Sequence, residues 1–197
     1  MLHSIKQRYS LYYNEATIDK EATDLIKQWR YSRSSRSQQQ KHVFKLVDNT
    51  DNSLTGVAIY GNPMSRHFNK LETIELRRLC LIDDTPKNTE SYFIAQTLRW
   101  LGKHTTYKQV VSFADPNHGH AGTIYKASNF LYDGREKNDN PRIVQYGEKQ
   151  IHLRQMYQKT GGSYSEDAKR IQAAVASGEA QVIKQEQKHR FIYSFDR

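Results

Sequence analysis

Apolar residues follow two different periods along this chain. In "TIDKEATDLIKQWRYS" Ile18, Ala22, Leu25, Ile26 and Trp29 recur at helical spacing, with Thr17 or Asp19 placed to cap the helix. "HVFKLVD" and "LTGVAIYG", short apolar runs on either side of "NTDNS", predict an antiparallel pair of strands. "TIELRRLCLIDD" (73–84) alternates over a longer span and predicts a central strand. The next segment breaks at Pro86. Asn88 or Thr89 can cap a helix carrying Phe93, Ile94, Leu98 and Leu101 on one face, with Gly102 at its C-terminal end. "QVVSFAD" predicts a short buried strand, and "GHAGTIYKASNFLYDG" a helix followed by an extended piece.

Weaker patterns occupy the rest. Residues 1–13 alternate loosely and end in "SLYYN", a candidate first strand. "RYSRSSRSQQQK" (30–41) has almost no apolar residue and predicts a loop, as does "EKNDNP". "RIVQYG" and "RFIYSF" predict strands. "SYSEDAKRIQAAVAS" predicts a capped helix with Ile171, Ala174 and Val175 on one side. There is no internal repeat. The order of elements predicts one α/β domain, a mixed sheet with helices packed on it.

Charge adds a partner class. Lys and Arg number 30 against 21 Asp and Glu, a net charge of +9. Such a surplus favours an anionic partner: nucleic acid, a membrane surface or a phosphorylated cofactor. The one cysteine, Cys80, lies in an apolar run and excludes an internal disulfide. A buried thiol in a reducing cytoplasm fits it. No 18-residue apolar stretch predicts a membrane span, and "MLHSIKQRYSLYYNE" lacks the apolar core of a signal peptide.

The densest chemistry lies in 110–134. Asp115 ends an apolar strand, at the edge that borders the ligand crevice in open α/β sheets. It can act as a general base or orient an amine, and it can equally cap the following turn. Asn117 or His118 can cap the next helix, and Tyr125, ten residues beyond Asp115, then falls about two turns into it. Gly119 and Gly122 are poor helix formers and indicate close approach to the backbone, by an anion at the helix end or by a neighbouring strand. His118 and His120 share no helical face, and no carboxylate or thiol cluster completes a metal site with them. Arg77 and Arg78, adjacent on a strand, should face opposite sides, with Glu75 beside Arg77.

"AGTIYKASNFLYDG" resembles the helix and following strand of the GNAT acyl-CoA N-acyltransferase superfamily, with Tyr125 in place of the tyrosine that often protonates the departing thiolate. Ser128 and Asn129 stand where a glycine is usual. A wider match covers most of 25–134. "RYSRS", "GVAIYGNP", "IELRRL", "PKNTESYFI" and "SFADPNHGHAGTIYKASNFLYDG", in this order, resemble the phage Mom family, diverged GNAT-like proteins that modify adenine in DNA. "KHRFIY" is similar to the family's closing strand. Two departures stand out. Arg30 precedes Tyr31 where the family commonly has histidine, and "TPKNTESYF" replaces the glycine-rich pyrophosphate loop of GNAT proteins.

The resemblance implies a single GNAT-like domain over 1–197: a mixed, mostly antiparallel sheet with helices on both faces, a basic loop at 30–41, and 135–197 as its C-terminal part. It implies modification of the adenine N6 amine by a methylcarbamoyl-type group, shielding phage DNA from host restriction in the host cytoplasm. It assigns catalysis to Asp115, Tyr125 and Tyr31, and the cofactor to Arg78, Asn88 and Ser91, with phosphates at the helix N-terminus. Arg30, Arg33, Arg36 and Arg77 are assigned to double-stranded DNA. The donor it implies is acetyl-CoA or a related acyl-CoA, with no membrane partner, and with metal and oligomeric state left open. An N-acyltransferase for a protein or small amine, and a non-enzymatic DNA-binding protein on the same scaffold, are the alternatives.

Overall fold

The two apolar runs around "NTDNS" pair antiparallel, as predicted. A computed structural model describes residues 2–15, 19–29, 40–135 and 142–195. In chain order the first elements are α1 (Leu2–Arg8), β1 (Tyr9–Asn14), α2 (Lys20–Trp29), β2 (Gln40–Asp48), β3 (Leu54–Gly61), β4 (Thr73–Leu81), α3 (Thr89–His104) and β5 (Gln109–Ala114). A 3₁₀ turn at Pro116–His118 leads into α4 (Thr123–Ala127) and β6 (Leu131–Arg135). Then come β7 (Arg142–Tyr146), β8 (Lys149–His152), β9 (Lys159–Thr160), β10 (Ser163–Tyr164), α5 (Glu166–Ser177), β11 (Ala180–Lys184) and β12 (His189–Ser194).

The described residues gather into two compact units. The first takes those up to Ala114, Gly122–Gly134 and those from Arg190 on. Its sheet has the order β1-β2-β3-β4-β5-β12-β6. Strands β1 to β4 are antiparallel neighbours, and β4 and β5 are parallel. On one face Ile5 of α1 and Phe93, Ile94, Leu98 and Leu101 of α3 pack on Phe44, Leu46, Ala58, Tyr60, Leu76 and Leu79. On the other, Ala22, Leu25 and Ile26 of α2 pack on Val43, Val57, Ile59 and Cys80. Each fully buried Leu, Ile or Phe contributes about 1.5–3 kcal/mol, so these two faces dominate the unit's stability. Asp19 starts α2: its carboxylate accepts from Ala22 N at 2.9 Å.

The second unit takes Asp115–Ala121 and Arg135–His189. It holds a three-stranded sheet, β11-β7-β8, and the β9–β10 pair. Val144, Met156, Ile171, Ala174 and Ala180 form its core. Helix α5 is bounded as its sequence predicts: Ser165 Oγ accepts from Ala168 N at 3.2 Å, and Gly178 closes the helix at φ 80°.

Three local expectations are corrected. The first strand is preceded by a helix, because Ile5 alone among 4–8 is buried and one buried position gives no period to see. Gly102 lies inside the last turn of α3, where an added Cβ would sit 3.1 Å from the Phe195 ring, so it serves packing and not termination. The helix after Asp115 does not begin at Asn117 or His118; a 3₁₀ turn comes first. The predicted loop residues 30–39 and 136–141 lie outside the described residues. Among those described, no helix is long and apolar enough to cross a membrane.

Candidate functional site

The parallel ladder between β4 and β5 runs over Thr73–Gln109, Ile74–Val110 and Glu75–Val111. At the next step a side chain replaces the ladder: buried Ser112 donates its hydroxyl to Leu76 O at 3.0 Å. The ladder ends where β4 carries a bulge. Ile59 pairs with Arg78 and Tyr60 with Leu76, which leaves Arg77 without an opposite residue. A bulge bends its strand and sharpens the local twist. Leu76 and Leu79 therefore enter the same core although they are three apart. The strict alternation that would set Arg77 and Arg78 on opposite faces is broken at this point.

Side chains hold the bulge. Arg78 Nη1 donates to Arg77 O at 2.8 Å. Arg77 Nη2 donates to Asn62 O and lies 3.3 Å from Met64 Sδ. Arg77 Nε is buried and has no acceptor among the described residues. Burial pulls the Arg77 guanidinium below its ordinary pKa; Glu75 opposes that shift and Arg78 adds to it. Glu75 is buried as well, and its Oε2 accepts from Met64 N at 2.7 Å.

Past the bulge, β4 leads through 82–88 to α3. Asn88 sits at the N-cap with φ 73° and makes no side-chain cap bond. Thr89 Oγ1 donates to Pro86 O at 2.7 Å, and Ser91 Oγ to Asn88 O at 3.1 Å. The first turn of a helix leaves backbone N–H groups without intrahelical partners and carries partial positive charge.

Tyr125 lies in the first turn of α4, not two turns in. The intervening backbone is left-handed at Gly119 and Gly122, which delays the helix to Thr123. At Gly122 an added Cβ would fall 2.2 Å from the Phe191 ring of β12. The close approach there is a neighbouring strand; at Gly119 nothing lies near, and φ 74° alone accounts for the glycine. Half-buried Tyr125 packs between Phe130 and Phe191, with ring centroids 5.6 and 5.3 Å away. Another phenol of this core, Tyr60, is fully buried and bonded to Thr97 Oγ1 at 2.6 Å. Burial pushes its pKa upward, with Tyr125 adding to the shift.

Asp115 belongs to the second unit. Its Oδ1 accepts from Asn117 N at 3.1 Å and Asn117 Nδ2 at 2.8 Å, so it caps the 3₁₀ turn. Asn117 is tied in turn to Glu186 O and Glu186 N, both at 2.9 Å. Of the residues singled out by sequence, Arg77, Arg78, Asn88, Ser91 and Tyr125 fall in the first unit. Tyr31, Arg30, Arg33 and Arg36 lie outside the described residues. Ser112 and the burial of Glu75 were not foreseen; the visible sign of Ser112 is a lone polar residue within "VVSFA". Among the described residues no group of three or more His, Cys, Asp or Glu could hold a metal ion.

Comparison with known proteins places this geometry. A model of the Mom protein family matches residues 12–197. The methylcarbamoylase mom of Escherichia phage Mu is 38% identical over 94 residues, covering 43% of this chain and 39% of that protein. The match thus spans about two fifths of the curated relative's length. An acetyltransferase of Bacillus subtilis in complex with CoA superposes with a TM-score of 0.55 at 10% identity, covering 95% of this chain and 99% of that one. A GNAT family acetyltransferase of Elizabethkingia anophelis with acetyl-CoA bound gives 0.55 at 11% identity, covering 95% and 98%. The fold is that of the GNAT acetyltransferases, a mostly antiparallel mixed sheet with helices on both faces.

Proposed function

The chain belongs to the Mom protein family, and from that premise we propose that it is a transferase that places a small acyl-derived group, of the methylcarbamoyl type, on the N6 amine of adenine in DNA. The observation that carries the transferase part is the wedge where β4 leaves β5 after Glu75 and Val111. Beyond it β4 leads through 82–88 to the N-terminus of α3.

An acyl-CoA fits these features. Its pantetheine arm bears amides that can pair with an open strand edge, and its phosphates suit a helix N-terminus. Asn88 at φ 73° takes the backbone conformation a glycine would otherwise supply. Arg78, Asn88 and Ser91 are the residues proposed to line the donor. When bound, the donor would supply the acyl carbons and a thiol leaving group, and a separate amine donor would have to supply the amide nitrogen of a methylcarbamoyl group. Everything else falls to the chain itself. An exocyclic amine inside a base pair is a poor nucleophile, so the base must leave the stack. Tyr31 would hold it there by stacking, with Arg30, Arg33 and Arg36 on the backbone phosphates. Asp115 would orient and accept an N6 proton, and Tyr125 Oη would protonate the departing group. The product would mask phage DNA from restriction enzymes.

The test is mass spectrometry of nucleosides from the DNA of cells expressing the chain. A new adenine adduct supports the proposal. Unmodified DNA with an acylated protein or small amine would show an ordinary N-acyltransferase instead, and unmodified DNA tightly bound would show a binding protein.

A further inference from the structure

The Asn62–Met64 turn after β3 is gripped twice by β4. Glu75 Oε2 takes the Met64 N–H at 2.7 Å, and the Arg77 guanidinium takes Asn62 O and touches Met64 Sδ at 3.3 Å. The two gripping residues stand at a critical place. Glu75 is the last β4 residue paired with β5, and Arg77 is the bulged residue itself. On either side of Arg77 the strand keeps a different register with β3: Tyr60–Leu76 before it and Ile59–Arg78 after it. Two half-strands one residue out of phase are prone to slip into a single register, which would carry every side chain of one half to the wrong face. A tie from the bulged residue to a fixed turn prevents that.

The tie is kept against a cost. Arg77 Nε is buried without an acceptor among the described residues, and most buried donors in folded proteins are paired. Burial also disfavours the charged guanidinium. An apolar residue would bury more easily here, but it could not hold the Asn62 carbonyl.

We infer that Glu75 and Arg77 form a clasp on the Asn62–Met64 turn that locks the β4 bulge and so holds the β4–β5 wedge open, making both positioning residues for the CoA-type donor. The inference rests on the proposed use of the wedge as donor site. It also joins two separate sequence motifs, "GVAIYGNP" and "IELRRL", into one device.

Two measurements on the full chain test it: amide hydrogen exchange, and calorimetric titration with CoA. Arg77→Met should raise exchange at Met64 and across 77–79 at least tenfold, while β1 and β2 keep their protection. It should weaken CoA at least tenfold. Arg77→Lys, which keeps one donor and the charge, should lie between. Glu75→Leu, which removes the acceptor for Met64 N, should also raise exchange at Met64 and weaken CoA. Arg66→Met, on the exposed loop, should change neither. If Arg77→Met does not fold, Arg77→Lys decides. Unchanged exchange in the folded variants overturns the clasp. Faster exchange with unchanged CoA affinity overturns the positioning role. A parent chain that does not bind CoA defeats the proposed donor site, while the exchange result still decides the clasp.

Discussion

Ser112 of β5 gives its hydroxyl proton to the carbonyl of Leu76 on β4 at 3.0 Å, away from water. It stands at the first step where the parallel ladder is missing, and it satisfies a carbonyl that the ladder would otherwise have taken. Ser112→Ala leaves that buried acceptor unpaired, at a cost of about 1–3 kcal/mol. Thermal denaturation should show a lowered midpoint. A Tm equal to the parent's would mean that Leu76 O finds another donor.

The two left-handed glycines should respond differently. Gly122→Ala puts a methyl into the Phe191 ring and strains the backbone at φ 75°. Overpacking of about 1–3 kcal/mol then adds to a left-handed penalty of about 1–2 kcal/mol. Gly119→Ala meets open space and carries only the second term. Urea midpoints should order the variants parent, Gly119→Ala, Gly122→Ala, and the reverse order would refute the packing account.

Acid should loosen the first unit in two steps. His42 is buried beside Tyr13 Oη at 3.0 Å, and burial holds its pKa below the ordinary value, with Glu15 opposing and Lys41 adding. A depressed pKa gives stability that is full above the unfolded value, about 6.5, and is lost as pH falls toward the folded one. At Asp19 burial would raise the carboxyl, but the Ala22 N–H, Lys45 and Asn14 outweigh it and leave it lowered. That contribution is full above about 3.9 and is lost as pH falls further. Denaturant midpoints followed from pH 7 to 2 should show both losses, and His42→Asn should abolish the upper one.

Asp115→Asn keeps an oxygen to cap the turn through Asn117 and removes the charge. Tyr125→Phe keeps the ring between Phe130 and Phe191 and removes the hydroxyl. Both should fold and bind DNA as the parent does. Adenine modification should fall by about 100-fold or more if they carry acid–base work. Parent-level adduct formation in both would reduce them to a cap and a core aromatic.

Duplex binding should weaken steeply as salt rises from low to moderate, since phosphate contacts release counterions and the chain carries +9. Affinity indifferent to salt would remove the phosphate-contact account.

Local period made much of this legible. The β2–β3 hairpin shows itself because Phe44, Leu46, Ala58 and Tyr60 go to one core while Val43, Val57 and Ile59 go to the other. The bulge was beyond reach: it depends on which β3 residue faces Leu76, a long-range fact, and only the Arg77–Arg78 interruption of an apolar alternation marked the spot. For the same reason the place of Glu75 beside Arg77 gave no sign of its burial. The short strands β8 to β10 escaped notice because their residues are largely exposed and carry almost no apolar alternation. At Asp115 both readings survive, since capping the turn occupies Oδ1 without deciding catalysis.

The place of β12 between β5 and β6 governs how the molecule is made. Synthesis is vectorial, and domains tend to fold as their segments emerge. By residue 189 the ribosome has delivered every segment of the second unit, yet the sheet of the first still lacks an inner strand. The ring of Phe191 that Gly122 and Tyr125 rest against has not been translated. The sheet is therefore completed by a late insertion of high contact order. A pause in translation before Phe191 would hold the candidate proton donor without its support.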